Sequence, residues 1–146
     1  MAFKDFTKTQ QQVILYLEGV KSAKMQADRN IDELSELKRV KDCLRASIND
    51  GTVSQNENAP YVAVCEKIEE EKQKVLNEND RYLKIRRTVT AQIKSLRSPT
   101  YSIILQKRYL DYKSMEKIAA EMNYSERRLN DLHKMALNAF YKIMRE

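Results

Sequence analysis

The sequence predicts an all-α protein: a long antiparallel helical hairpin, coiled-coil-like, followed by a C-terminal helix-turn-helix domain. Three observations lead there. Among 146 residues there are two glycines and two prolines. That is too few for the turns of an all-β sandwich, a Rossmann unit or a P-loop, which need residues that accept positive φ. Hydrophobic residues make up 42% and charged residues 33% of the chain, the balance of long amphipathic helices. Apolar residues also recur with a heptad period over two long stretches, separated by a polar, asparagine-rich segment.

The first stretch reads as a helix over 8–49. With Val13 as position a, the seam is Val13, Tyr16, Val20, Ala23, Ala27, Asn30, Leu34, Leu37, Lys41, Leu44 and Ile48, nine of eleven apolar. The break that follows runs from Asn49 to Pro60. Gly51 suits the left-handed position after a helix, and Pro60 suits the first turn of the next. In the second stretch, 60–97, Tyr61, Ile68, Val75, Tyr82, Val89 and Leu96 recur every seven residues. Its d positions, which include Glu71, Glu78 and Gln92, are more polar. Two helices of similar length joined by a polar turn predict a hairpin over 1–97. Pairing by distance from the turn places Lys41 near Glu71, a polar pair that costs stability but fixes register.

Residues 98–146 form the second domain. Ser98-Pro99-Thr100 opens a short helix in which Ile103, Ile104, Tyr109 and Leu110 supply apolar contacts. Asp111-Tyr112-Lys113 is a turn. Ser114 caps a helix over 115–122, Asn123-Tyr124 makes a second tight turn, and Ser125 caps the last helix. That helix carries Leu129, Leu132, Ala136 and Phe140 at helical spacing. Ala119 is small where two helices cross, and Leu129 and Leu132 pack back on it. The layout is helix-turn-helix.

With Leu129, Leu132 and Ala136 inward, the outer face of the last helix centres on Arg127, Asp131, Lys134 and Asn138, flanked by Arg128 and Asn130. In a major groove, Arg127 suits guanine O6 and N7, Asn130 suits adenine, and Asp131 accepts from cytosine N4. Arg128 and Lys134 suit phosphates. Lys113, Ser114 and Lys117 begin the preceding helix, where a backbone phosphate is favoured.

The stretch LQKRYLDYKSMEKIAAEMNYSERRLNDLHKMAL, from Leu105 to Leu137, resembles region 4 of bacterial sigma factors. Joined to an N-terminal hairpin, it is similar to phage- and prophage-encoded sigma-region-4-like regulators of the ArpU and RinA type. The resemblance implies a transcriptional regulator of phage late or packaging genes that binds double-stranded DNA in the bacterial host cytoplasm. It also implies base reading from Glu126, Arg127 and Asp131. Host RNA polymerase and a second copy of the chain are the two partners open to the hairpin. The sequence departs from the family at Asn130-Asp131, where many relatives carry two basic residues, and Glu126 adds another acid. That weakens the phosphate term and leaves open a polymerase adaptor with a degenerate helix-turn-helix. The other alternative is a small-terminase-like DNA-packaging protein, which also joins helix-turn-helix and coiled coil.

Other chemistries find little support. His133 is the sole histidine, and with two cysteines it cannot complete a four-ligand zinc site. A catalytic triad would have to form around this one residue inside a helix, so the sequence predicts no enzyme, cofactor or metal. Helical faces and core spacing account for Glu69-Glu70-Glu71 and for most tyrosines. Cys43 and Cys65 read as reduced thiols rather than a disulfide. The N-terminus lacks the apolar region of a signal peptide, and no apolar run is long enough to span a bilayer. The formal charge of +6 is unevenly spread: residues 81–110 hold eight basic side chains and no acid. Cations favour helix C-termini. The block also predicts that Arg86 and Arg87 touch DNA backbone.

Overall fold

The computed structural model describes residues 2–51 and 59–146. A 3-10 turn (Phe3–Asp5) precedes α1 (Lys8–Asn49) and α2 (Ala59–Lys94). Then come α3 (Pro99–Leu105), a π-helical turn (Gln106–Leu110), α4 (Met115–Met122) and α5 (Glu126–Arg145). Among the described residues there is no strand, and no helix is long and apolar enough to cross a membrane. The protein is all-α.

Local chemistry sets the helix ends. Thr7 and Gln10 form a reciprocal cap on α1: the Thr7 amide donates to Gln10 Oε1 (3.0 Å), and the Gln10 amide donates to Thr7 Oγ1 (3.3 Å). Gly51 takes φ 80° after α1, and residues 52–58 of the expected loop lie outside the described residues. α2 ends at Lys94, short of the expected 97. There the Ser95 amide donates to the carbonyls of Ala91 (3.1 Å) and Gln92 (3.2 Å), tightening the last turn ahead of Pro99.

α1 and α2 run antiparallel. The Tyr16 hydroxyl, near the start of α1, donates to Gln92 Oε1 near the end of α2 (2.6 Å). Further along, Asn30 and Glu33 share a groove with Lys74 and Asn77. The heptad positions of both helices face the seam: apart from Tyr16, all are buried or half-buried.

The chain forms two compact units, Met1–Ala23 with Leu83–Glu146, and Lys24–Tyr82. The division does not fall at residue 97, because the first turns of α1 and the last turns of α2 supply core to the C-terminal helices. Val13, Leu17, Val20, Val89 and Ile93 are almost fully buried in the first unit, together with Leu105, Leu137 and Phe140. The rings of Tyr16 and Phe140 lie 6.0 Å apart. Ile103, expected in this core, is 42% exposed, and Leu105 takes the inward place.

The second unit is more polar. Among the described residues, Ala27 and Ile68 are the only buried hydrophobic ones in it, and Asn30 and Glu71 are buried with them. The expected Lys41–Glu71 pair is not made. Glu71 Oε1 instead pairs with Lys74 on its own helix (3.2 Å), and Glu71 Oε2 has no hydrogen-bond partner among the described residues. The register explains this: with Asn30 and Glu33 beside Asn77 and Lys74, residues near 36, not Lys41, come opposite Glu71. Both cysteines are free thiols.

A buried carboxylate oxygen without a partner costs about 1–3 kcal/mol. Glu71→Leu is therefore expected to raise the unfolding free energy by about 1 kcal/mol or more, read by urea denaturation. A destabilised variant would mean that the carboxylate is satisfied where it lies.

Candidate nucleic-acid interface

The C-terminal helices are placed by a succession of short-range caps. The Ser98, Ser114 and Ser125 hydroxyls accept from the amides of Tyr101 (3.4 Å), Lys117 (3.2 Å) and Arg128 (3.1 Å), each satisfying an orphan donor of a helix first turn. Between α4 and α5, Asn123 adopts the left-handed conformation (φ 59°, ψ 38°). The Tyr124 amide then bonds back to the Ala119 carbonyl (3.0 Å), closing α4 as a Schellman motif does. Tyr112 holds the earlier turn at φ 58°.

Ile118 and Ala119 of α4 pack with Leu129 and Leu132 of α5 and with Ile104 of α3. The inner face of α5 continues through His133, Ala136, Leu137 and Phe140. Its opposite side stays in solvent. Arg127, Arg128 and Asp131 are exposed, and among the described residues their side chains make no ion pair, nor does that of Glu126. Lys142, further along the same face, is also exposed.

Other expected contact residues are engaged inside the protein. Lys113 Nζ donates to both Glu121 oxygens (3.0 Å each), and Lys107 Nζ to Glu121 Oε2 (2.7 Å). These two ammonium groups hold the Glu121 carboxyl at about 2, well below its ordinary range, so Lys113 is not free for a phosphate. Arg86 turns inward, where its Nη1 donates to the Leu110 carbonyl (2.8 Å), and Arg108 Nη1 donates to the Lys113 carbonyl (3.0 Å). Arg86 thus satisfies a carbonyl where the π-helical turn ends, and Arg108 one in the connection just before α4. Lys134 is half-buried, its ammonium 5.9 Å from the centre of the Phe6 ring. Asn130 is half-buried too and lines a cavity with Phe3 and Phe6. Ser114 spends an oxygen lone pair on its helix cap. Lys117 and Arg87 remain exposed, and their side chains have no ion pair among the described residues.

The N-terminal segment supplies the feature that sequence reasoning missed. Phe6 meets the His133 ring edge-on, 5.8 Å between centres. Gln10 Nε2 donates to Asn138 Oδ1 (3.1 Å), so the residue that caps α1 also grips α5. The Thr-x-x-Gln spacing of a capping box was the available signal. Lys94 and Arg97, exposed at the end of α2 and just beyond it, were also passed over as contact residues.

His133 is 5% exposed, deeper than a surface or partly packed histidine. Its Nε2 shares a 2.9 Å hydrogen bond with the Tyr109 hydroxyl. Burial, and then the Arg108 charge, lower its pKa from 6.5 to about 4, while burial raises that of Tyr109. Among the described residues no group of His, Cys, Asp and Glu side chains is arranged to hold a metal ion. No protein family, curated protein or solved structure matches the chain.

The depressed histidine ties stability to pH. The unfolded chain takes up a proton on His133 near 6.5 and the folded chain only near 4, so acid favours unfolding. This contribution is complete above pH 6.5 and is lost as pH falls through 4. It amounts to roughly 3 kcal/mol between neutral pH and pH 4. His133→Gln is expected to flatten the unfolding free energy over that window relative to wild type. Equal slopes in parallel denaturant titrations would contradict the buried neutral imidazole.

Proposed function

We propose that α4 and α5 form a helix-turn-helix that binds double-stranded DNA with α5 in the major groove. The chain then acts as a sequence-specific regulator of phage late or packaging genes. The observation that carries the DNA reading is the division of α5. One side is locked by Leu129, Leu132, Ala136, Leu137 and Phe140, while Arg127, Arg128 and Asp131 stand exposed at its N-terminal half. A recognition helix offers base edges that half. The assignment to phage genes rests on the likeness of residues 105–137 to sigma region 4 joined to an N-terminal helical hairpin.

Within this reading Arg127 pairs with guanine, Asp131 accepts from cytosine N4, and Glu126 borders the groove. Arg128 and Lys117 contact backbone. Arg87, Lys94 and Arg97 take the positioning role first given to Arg86 and Lys113, because their side chains are the exposed ones. A second reading, a polymerase adaptor that binds protein through α5, is favoured by one observation: Lys113, Arg86 and Lys134 are engaged within the chain, which thins the cationic surface.

Fluorescence anisotropy of labelled late-promoter duplexes separates the two. Arg127→Ala is expected to weaken binding roughly tenfold and relax the preference at one base pair. Arg87→Ala should weaken all duplexes alike and lower the salt slope by about one. Wild type and both variants binding equally, or none binding above background, would leave the adaptor reading.

A further inference from the structure

Beside the start of α5 lies a cavity of about 400 Å³. Phe3, Phe6 and Tyr109 form part of its wall, together with Ile14 and Met115. Glu18, Glu116 and Glu126 also line it. None of these three carboxylates has an ion pair or side-chain hydrogen bond among the described residues. Arg108 is the one cation of the lining, and its Nη1 is committed to the Lys113 carbonyl. His133, also in the wall, contributes no charge at neutral pH.

We propose that this cavity binds a small organic cation, an ammonium group carried on an apolar body. Aromatic faces attract cations through their quadrupoles, and Phe6 already holds the Lys134 ammonium 5.9 Å from its ring centre. Three carboxylates against the Arg108 guanidinium and the Lys134 ammonium beside Phe6 still leave a net negative charge, which disfavours an anionic ligand. The acids form no metal-binding group, so a bare ion has no coordination shell there, whereas an alkylammonium needs only charge and apolar contact. Helix stability accounts for two of the acids, since Glu116 and Glu126 sit in the first turns of α4 and α5. It does not account for Glu18, which lies within α1 and forms no pair with Lys21 one turn away. The cavity opens to solvent between the N-terminal segment, α1, the π-helical turn, α4 and α5; of its three acids, Glu126 also borders the groove in the proposed DNA complex, whereas Glu18 and Glu116 do not.

The test is a titration of the full chain with benzyltrimethylammonium, followed by calorimetry and by the NMR resonances of Phe, Tyr and His133. Benzyl alcohol and benzoate serve as the neutral and anionic aromatic controls. The cation is expected to bind saturably, roughly tenfold more tightly than benzyl alcohol, with no binding of benzoate. Phe6→Leu and Glu18→Gln should each weaken the cation several-fold. Glu18→Gln changes an exposed side chain and so tests the site even if Phe6→Leu disturbs the fold. Absence of saturable shifts, benzoate or benzyl alcohol binding as tightly as the cation, or Glu18→Gln binding it like wild type would overturn the proposal.

Discussion

The burial of one face of α5 is the contact on which the C-terminal part of the molecule depends. Leu129, Ala136, Leu137 and Phe140 are fully buried. A large apolar side chain taken out of water is worth roughly 1.5–3 kcal/mol. No neighbouring element could supply that core alone. α3 and α4 are seven and eight residues long, too short to be stable helices in isolation. The first turns of α1 and the last turns of α2 complete it. The outer face of α5 is thereby fixed in direction, and the same packing encloses His133 and keeps it neutral.

Much of this was legible because the signals are local. The span 8–49, the seams, the serine caps and the left-handed Asn123 each follow from a few neighbouring residues. What was not legible depends on distances between segments remote in sequence. Counting from the turn brought Lys41 to Glu71, whereas the register in the structure brings residues near 36 opposite Glu71, which pairs with Lys74 of its own helix. A helical wheel placed Lys134 and Asn130 on the outer face of α5, but a wheel carries no information about Phe6 arriving alongside from the other end of the chain. Arg86 and Lys113 looked free for the same reason: their partners, Leu110 and Glu121, lie 24 and eight residues away.

The basic block gains a more specific meaning. Arg86 closes the carbonyl end of the π-helical turn, where exposed carbonyls favour a cation. Arg108 holds the Lys113 carbonyl just before α4, and Lys107 shares Glu121 with Lys113. Arg87, Lys94 and Arg97 remain exposed at and just beyond the end of α2. The surface charge available to an anionic partner is therefore smaller than the sequence total suggests, and the acids at Glu126 and Asp131 reduce it further. In the proposed DNA complex, such a surface would derive its selectivity from base contacts more than from phosphate attraction.

The central claim is that α5 reads base sequence, and selection from a pool of random duplexes tests it most directly. Wild-type protein is expected to enrich a short common sequence, and Asp131→Ala is expected to lose the preference at one cytosine while keeping the rest. A pool that stays random after repeated rounds, or an enriched sequence identical for the two proteins, would contradict the account.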